Sequence, residues 1–392
     1  MKIGLVCPYS IARGGGVQEH VRAMHSELTR RGHQVKIITP RPRDIAGCDK
    51  RGVIFMGNAM DFRSMLATTT QLSASIDSDL IDAMLERENF DILHFHEPWV
   101  PFLSYQILVR SNSVNVATFH AKLPETMMSR TLTRVVAPYT KSSLKYLHEL
   151  TAVSDAAAEY VRGATERPIN IIPNGIDLKR FHRPRPSSNA RPAKLTILYV
   201  GRLEQRKGVR YLLRAYSRLQ EQYDNLMLNI VGDGPQLQQL QIMAEQLGLK
   251  NVNFLGYVSE RRKISLLRSA DLFCSPAVFG ESFGIVLLEA MACGLPLVAG
   301  NNPGYASVMQ GLGTLSLANP HDTAEFARRI DLLLHEKQLR NLWRNWARLV
   351  VPNYSYKKIV DSYEKVYGQA IDASAKPQQL KLRELVSNRF AK

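Results

Sequence analysis

The chain has 392 residues, of which 45% are hydrophobic and 22% are charged. A chain of this length is too long for a single ordinary hydrophobic core, and this balance of hydrophobic and charged residues excludes a disordered or fibrous protein. We therefore expect a globular protein of two domains. The formal net charge of +16 favours anionic partners such as phosphorylated ligands or lipid headgroups. The simpler alternative is that the charge only keeps the protein soluble. Nucleic acid is the least favoured of these partners, because the sequence contains no basic arm or nucleic-acid-binding motif.

The first half of the sequence predicts strands and helices in alternation. An apolar strand at 3–6 leads through three glycines, Gly14 to Gly16, into an amphipathic helix at 17–31. Further strands are predicted at 35–39, 92–95, 114–119, 150–153 and 169–172, and helices at 80–88 and 142–149. This order is typical of a doubly wound parallel sheet with helices on both faces.

A polar segment rich in arginine and proline, 181–194, is typical of a linker, and the same alternation returns after it. The second series has predicted strands at 195–200, 227–231, 252–254, 272–274 and 297–299, and helices at 208–219, 236–247, 261–268 and 283–293. We therefore predict an α/β protein of two Rossmann-like, doubly wound parallel-sheet domains, 1–183 and 194–353, that face a central cleft. The basic tail, 354–392, is predicted to be helical.

The cysteines and the most apolar segment indicate where the protein works. Four scattered cysteines form no Cys-x-x-Cys pair, which predicts reduced thiols rather than disulfides or a zinc site. The most apolar stretch, 283–300, contains Glu289 and Pro296, so we interpret it as a buried helix and strand. We expect a cytoplasmic protein whose contact with the cell membrane is peripheral, for which the basic residues around Lys141 and Lys145 offer one surface.

The first candidate binding residues follow predicted strands, where parallel sheets bind their ligands. Gly15 and Gly16 would let backbone N–H groups approach a phosphate, although any tight turn also favours glycine. Arg202 and Lys207 follow the strand at 195–200. An arginine fork and a lysine could clamp a diphosphate and stabilise the charge that grows as a sugar departs from it; the alternative is a solvated basic loop.

Two carboxylates, Glu281 and Glu289, flank and enter a helix that is otherwise apolar. A carboxylate among apolar side chains is costly unless it has hydrogen-bond donors, and sugar and ribose hydroxyls are suitable donors. The alternative is purely structural, with Glu281 as a helix N-terminal charge and Glu289 in an internal salt bridge.

Histidines follow two other strands. His120 comes directly after the strand at 114–119 and could orient a sugar or an acceptor hydroxyl, although a histidine at a strand end is more often structural. His94, His96 and Glu97 lie together, but a third and a fourth ligand at suitable spacing are missing, so no metal site is predicted.

These residues together resemble the retaining glycosyltransferases of family 4, which have the GT-B fold. The most specific match is the Glu-x7-Glu motif from Glu281 to Glu289, and the resemblance extends from Met1 to Tyr367. Segments 6–10, 15–18 and 93–98 look closest to the bacterial phosphatidylinositol mannosyltransferases. The resemblance therefore implies a retaining hexosyltransferase that moves mannose from GDP-mannose to a lipid such as phosphatidylinositol at the cytosolic face of an anionic membrane.

The resemblance also implies a role for each candidate residue. The implied donor contacts are Gly15 and Gly16 at the diphosphate, Arg202 and Lys207 at the leaving group, Glu281 at sugar hydroxyls, Glu289 at the ribose, and the backbone amides of Phe283, Gly284 and Ile285. His120 would lie beside the transferred sugar and, with Arg202, Lys207 and Glu281, would form the catalytic set. Tyr9, Gln18 and Lys122 would border the acceptor. No protein metal site is implied, although Mg²⁺ could accompany the donor diphosphate, and the tail helix would cross back to the N-terminal domain.

The acceptor side departs from this branch. Trp99, Ala121 and Glu125 replace residues expected to be polar, hydroxyl-bearing and basic, and segment 60–78 carries only Arg63 where the branch has a more basic membrane-binding helix. Two alternatives stay open: a UDP-sugar-dependent transferase acting on another lipid or on a soluble or polymer saccharide, and a nicotinamide-dependent oxidoreductase. The second lacks the Gly-x-Gly-x-x-Gly loop that such enzymes use.

Overall fold

A computed structural model describes residues 1–12, 14–42, 51–63, 69–73, 77–100, 103–121, 141–181 and 194–390, with side chains left out at 58–76 and 376–390. The chain forms two compact units, one of Met1–Asn174 with Tyr356–Lys392 and one of Gly175–Ser355. Most of the predicted linker, 182–193, lies outside the described residues.

Strands and helices alternate along both units. The strands are β1 (Lys2–Val6), β2 (Gln34–Arg41), β3 (Val53–Arg63), β4 (Thr69–Ser73), β5 (Ile92–His96), β6 (Val114–Phe119), β7 (Glu149–Ala152), β8 (Asn170–Ile171), β9 (Leu195–Val200), β10 (Leu226–Val231), β11 (Val252–Gly256), β12 (Leu272–Ser275), β13 (Leu297–Gly300) and β14 (Leu317–Ala318). The helices are α1 (Gly16–Arg30), α2 (Ser78–Glu88), α3 (Leu103–Arg110), α4 (Asp155–Arg162), α5 (Leu178–Phe181), α6 (Val209–Gln220), α7 (Leu237–Gln246), α8 (Glu260–Ser269), α9 (Ile285–Ala292), α10 (Pro303–Val308), α11 (Thr323–His335), α12 (Lys337–Val350) and α13 (Tyr356–Phe390). Short 3₁₀ helices occur at Gln205–Lys207, Gly311–Ser316 and Val351–Tyr354.

The first unit is built on a sheet in which the described strands have the order β4-β3-β2-β1-β5-β6-β7-β8. All neighbours are parallel except β3 and β4, which pair antiparallel. The central strands β1 and β5 are almost wholly buried, which agrees with their mostly apolar sequences; the exceptions are Lys2, which begins β1, and the buried His94 and His96 of β5. Helix α1 packs an apolar stripe of Val21, Met24 and Leu28 against this sheet.

The C-terminal helix α13 belongs to the core of the first unit. Val360, Tyr363 and Tyr367 are fully buried in the same cluster as β1 and α1. The hydroxyl of Tyr367 lies 2.7 Å from Nδ1 of His94 on β5. Arg31 adds a surface tie, because its guanidinium lies 2.6 Å from the carboxylate of Asp361 on α13.

The second unit has one parallel sheet, in which the described strands have the order β11-β10-β9-β12-β13-β14. Glycines allow the loops after its strands to pack closely. Gly232, directly after β10, has φ +132, and a Cβ there would lie 1.9 Å from the carbonyl oxygen of Gly201 after β9. The backbones that follow these two strands therefore touch, which fixes the loop that carries Arg202.

The predicted fold class of two Rossmann-like parallel-sheet domains is confirmed. The predicted helix at 142–149 is wrong beyond residue 144, because the chain there turns and then enters β7, which pairs with β6. Part of segment 60–78, compared above with a membrane-binding helix, instead forms the β3–β4 pair. No helix in the described part of the chain is both long enough and apolar enough to span a membrane.

We predict that Tyr367→Phe destabilises the first unit by about 1–3 kcal/mol, because it leaves Nδ1 of the buried His94 without its partner. Hydrogen exchange of the β5 amides would measure this loss. Tyr257→Phe is the control, because Tyr257 is 88% exposed. Equal protection of β5 in all three proteins would contradict the structural role of the Tyr367 hydroxyl.

Candidate active site

Cations and carboxylates meet in the second unit, after the carboxyl end of β9. Nζ of Lys207 lies 2.7 Å from Oε1 of Glu281, and Nε of Arg202 lies 2.7 Å from Oε1 of Glu204. Arg206 joins the two pairs, since its guanidinium lies 2.9 Å from Glu204 and 2.6 Å from Glu281. The structure therefore brings three predicted residues, Arg202, Lys207 and Glu281, into one connected network.

Sequence reasoning missed Arg206, which occupies the centre of this network. Burial lowers the pKa of its guanidinium, but the Glu281 and Glu204 carboxylates outweigh burial and raise it overall. Arg206 also donates to the carbonyl oxygen of Gly280, the residue before Glu281. The sequence shows Arg206 in a basic run. It does not show that Arg206 pairs with Glu204 and Glu281, which are 2 and 75 residues away.

Glycines hold the two ends of the network close together. Gly208, which ends the 3₁₀ helix carrying Lys207, has φ +67, and a Cβ there would lie 2.1 Å from the carbonyl oxygen of Pro276. Gly284 has φ +112 and precedes α9, with Tyr305 packed against it. These positions admit only glycine without a shift of the backbone, so the loop of Lys207 and the loop of Glu281 are held in fixed positions.

The helix α9 carries the second predicted carboxylate. Glu289 is buried within this helix, and its Oε1 lies 2.7 Å from Nζ of Lys263 on α8. Burial lowers the pKa of Lys263, but the Glu289 and Glu260 carboxylates raise it overall. The salt bridge that we considered as the structural alternative for Glu289 is therefore present, and it adds Lys263 to the candidate site.

The start of α9 has the character expected of an anion-binding surface. Phe283 is buried against the ring of Tyr354, with ring centroids 6.0 Å apart, and so fixes the chain before the helix. The first backbone N–H groups of a helix have no intrahelical acceptor and point toward a ligand at its N-terminus. Gly284 and Ile285, two of the residues predicted to contact the donor, lie at this end of α9.

In the first unit, the glycine loop opens directly into α1. Gly15 is the N-cap of α1 and Gly16 its first residue. The side chain of Gln18 folds over Gly15, where an added Cβ would lie 2.4 Å from Oε1 of Gln18. Tyr9 is half-buried, and burial together with the nearby Glu97 carboxylate raises the pKa of its hydroxyl. Lys122, the third predicted acceptor residue, lies outside the described residues.

His120 belongs to a buried cluster of histidines. Nδ1 of His96 lies 2.9 Å from Nε2 of His120, and the His20 ring lies 5.2 Å from that of His120. Burial lowers the pKa of His20 to about 3 and that of His96 and His120 well below the usual value. His20 was missed in the sequence, although its helical spacing from Val17 and Met24 places it on the apolar stripe of α1.

Glu97 holds both the backbone of His120 and the side chain of Trp99. Its Oε1 accepts the backbone N–H of His120 at 2.7 Å, and its other oxygen accepts the indole N–H of Trp99. Burial raises the pKa of the Glu97 carboxyl to about 7 in spite of these donors. Glu97 also has φ +55, an uncommon conformation for a residue with a side chain, and such strain is concentrated at functional sites.

Comparison with known proteins gives two family matches that follow one another along the chain. The model described as Glycosyltransferase Family 4 matches residues 14–180, and the model described as Glycosyl transferases group 1 matches residues 182–350. Phosphatidyl-myo-inositol mannosyltransferase of Mycobacterium leprae (strain TN) is 31% identical over 382 residues, which cover 96% of this chain and 99% of that protein.

Solved structures show the same fold at lower identity. Sucrose-phosphate synthase from Thermosynechococcus elongatus matches with a TM-score of 0.75 and 21% identity, over 95% of this chain and 100% of that one. HepE from Anabaena in complex with UDP matches with a TM-score of 0.73 and 18% identity, over 94% of this chain and 100% of that one. These similarities extend over both units.

We predict that the buried histidines make the first unit sensitive to acid. Because the folded pKa of His20 is about 3 and its ordinary value is 6.5, the unfolded chain binds one more proton than the folded chain between these values. Stability from this group is complete above pH 6.5 and is lost as the pH falls toward 3. His20→Leu should therefore make the fall in unfolding free energy shallower by about 1.4 kcal/mol per pH unit well below pH 6.5.

Hydrogen exchange of the β1 amides between pH 7.5 and pH 4.5, with a chelator present, would measure this slope. His321→Leu serves as the control, because this histidine is exposed in the other unit. Identical slopes for the wild-type protein and His20→Leu would show that His20 takes up no extra proton on unfolding.

Proposed function

Because the chain belongs to glycosyltransferase family 4, and is therefore a hexosyltransferase with the GT-B fold, we propose that it transfers mannose from GDP-mannose to phosphatidylinositol or a closely related anionic lipid, with retention of configuration. The observation that carries the proposal is the contact of Lys207 and Arg206 with Glu281 at the carboxyl end of β9. This contact supports the proposal because it brings two cations, which would bind phosphate, beside a carboxylate that would accept hydrogen bonds from sugar hydroxyls.

The proposed donor chemistry needs little beyond positioning and charge. Arg202 and Lys207 would bind the diphosphate and stabilise the charge that grows on it as the sugar leaves. Glu281 would then exchange its ion pairs for hydrogen bonds from sugar hydroxyls. The first N–H groups of α9, from Phe283 to Ile285, would add donors to the phosphate. Transfer would proceed by departure and attack on the same face of the sugar, without a protein nucleophile.

Glu289 and Lys263 extend this proposal to the nucleoside. Glu289 would accept hydrogen bonds from the ribose hydroxyls, and its ion pair with Lys263 holds the carboxylate in place before the donor binds. Because Lys263 also contacts Glu260, it can remain paired while Glu289 turns to the ribose. Mg²⁺ would accompany the donor diphosphate without a protein ligand of its own, as the family resemblance implies.

For the first unit, the proposal keeps the roles implied by the sequence. Gly15 and Gly16 would contact the diphosphate through their backbone, His120 would lie beside the transferred sugar, and Tyr9 and Gln18 would border the acceptor. The buried Glu97 supports the role of His120, because it binds the backbone N–H of that residue. Trp99, which donates its indole N–H to Glu97, replaces a polar residue at the acceptor side, so we include related anionic lipids as acceptors.

The acceptor proposal rests on relatives named as phosphatidyl-myo-inositol mannosyltransferases and on the net charge of +16. Such a charge favours an anionic membrane surface, and we propose that the protein works there as a peripheral protein at the cytosolic face. The alternative, a UDP-sugar donor, is favoured by one similar structure, HepE, which was solved with UDP.

A donor and acceptor screen tests the proposal. The full chain would be incubated with GDP-mannose, GDP-glucose, UDP-glucose or UDP-N-acetylglucosamine, with phosphatidylinositol vesicles or with neutral phosphatidylcholine vesicles. We expect GDP-mannose to be consumed and a mannosylated lipid to form only with phosphatidylinositol. Turnover of a UDP-sugar with GDP-mannose inert would reject the donor, and equal turnover without an anionic lipid would reject the acceptor.

We predict that Glu281→Gln and Lys207→Ala each lower kcat by about 100-fold to 1,000-fold. Lys207→Ala removes a cation that would stabilise the leaving diphosphate, and Glu281→Gln removes the carboxylate that would bind the sugar hydroxyls and that holds Arg206 and Lys207 in place. Glu245→Gln and Lys250→Ala, at exposed positions of the same unit, are the matched controls. Circular dichroism would check that all four variants fold. Normal turnover by either test variant would reject the role given to that residue.

A further inference from the structure

Three histidines from different elements of the first unit converge on one point. His20 lies on α1, His96 ends β5 and His120 follows β6. One ring nitrogen of each lies within 4.8 Å of those of the other two. The cluster is closed to solvent, because His20 and His96 are 0% exposed and His120 is 6% exposed.

Several nitrogens of this cluster have no hydrogen-bond partner among the described residues. Both ring nitrogens of His20 are unpaired, and so is Nε2 of His96. Buried polar atoms are nearly always paired, because an unpaired one loses its hydration without compensation. Two neighbouring side chains with this defect, whose ring centroids lie 5.6 Å apart, indicate a ligand that binds imidazole nitrogen.

The fourth nearby histidine behaves differently and is not part of the inferred site. Nδ1 of His94 lies 2.7 Å from the Tyr367 hydroxyl, and its Nε2 lies 2.6 Å from Oγ1 of Thr118. Both of its nitrogens are therefore used within the protein. This contrast separates His94, which supports the fold through both nitrogens, from His20 and His96, which each keep at least one unpaired nitrogen.

The chemistry of the cluster selects the class of ligand. A cation binds the neutral form of imidazole, and a closed, apolar position favours that form. Mg²⁺ and Ca²⁺ prefer oxygen ligands. The Glu97 carboxylate, which contacts this cluster, already accepts hydrogen bonds from the backbone of His120 and the indole of Trp99, so it does not favour these ions. Three imidazoles instead suit Zn²⁺ and similar divalent transition-metal ions.

We propose that His20, His96 and His120 form a binding site for a divalent transition-metal cation of the Zn²⁺ class, with water completing the coordination. A tetrahedral zinc site with bonds of about 2.0–2.1 Å places its nitrogens about 3.4 Å apart. Nδ1 of His96 and Nε2 of His120 are 2.9 Å apart and would exchange their mutual hydrogen bond for bonds to the metal ion. One nitrogen from each of the three rings already lies within 4.8 Å of the others, and both nitrogens of His20 are unpaired. This site could not be predicted from the sequence, because His20 and His120 come from other elements than the strand that carries His96.

The site has a consequence that rests on the proposed function. His120 cannot bind a metal ion and orient the transferred sugar through the same ring nitrogen, so Zn²⁺ should inhibit transfer reversibly. Metal binding itself does not depend on that function. A protein that binds Zn²⁺ without inhibition would therefore reject the role of His120 in transfer and leave the metal site supported.

Metal titration of the full chain, freed of any affinity tag and treated with EDTA that is then removed, tests the proposal directly. The probes are Zn²⁺, in competition with a chromophoric chelator, and Co²⁺, whose visible absorption reports tetrahedral coordination. We expect one equivalent to bind with an intense Co²⁺ band. His20→Leu should weaken binding by about 100-fold or more, since removal of a ligand costs at least as much as loss of an outer-shell partner.

The variants are chosen so that folding and binding can be separated. His20 makes no hydrogen bond among the described residues, so leucine replaces it without losing one. His321→Leu, an exposed histidine of the other unit, is the matched control and should bind like the wild-type protein. If His20→Leu fails to fold, the shift of the wild-type unfolding midpoint with Zn²⁺ concentration gives the same answer. The proposal is rejected if the wild-type protein binds no equivalent of Zn²⁺, shows no such shift, or binds no more tightly than a folded His20→Leu.

Discussion

The ion pairs of Glu281 join two segments of the second unit that are 75 residues apart in sequence. Arg206 and Lys207 contact the same oxygen of this carboxylate, at 2.6 and 2.7 Å. Because the three groups are largely buried, salt screens their attraction only weakly, and loss of one partner would leave the others uncompensated. This contact joins the loop after β9 to the segment before α9, so the relative position of these two segments depends on it.

The first unit depends on a comparable contact between distant parts of the chain. The Tyr367 hydroxyl bonds to His94, 273 residues earlier, and Tyr363 bonds to Thr118. These bonds satisfy the polar groups directly beneath His96 and His120, where two parallel strands end. The last helix therefore completes the surroundings of the histidine cluster, and the unit is continuous in space but not in sequence.

Most of the sheet order follows from hydrophobic periodicity, because buried parallel strands and amphipathic helices have distinct patterns. The helix predicted at 142–149 failed where pairing with β6 outweighed the local helical pattern. For the site, the spacing of Glu281 and Glu289 and the basic residues after β9 were readable. The partners of these residues could not be predicted, because contacts between different elements select them and no local pattern records such contacts. Arg206 pairs with Glu281, Lys263 pairs with Glu289, and His20 lies beside His120.

The charge balance of the Arg202–Lys207–Glu281 network agrees with the proposed binding of a diphosphate beside a carboxylate. Three cations and two carboxylates, joined by short contacts, leave the network with a net charge of +1. Glu281 thus holds Arg206 and Lys207 in position while one positive charge remains uncompensated, an arrangement that would be preorganised for an anion. In the proposed reaction, sugar hydroxyls would replace the cations on Glu281, and the cations would turn to the phosphates. Since negative charge on the diphosphate would increase as the sugar departs, this exchange would be more favourable in the transition state than in the ground state, which is the condition for an interaction to accelerate a reaction.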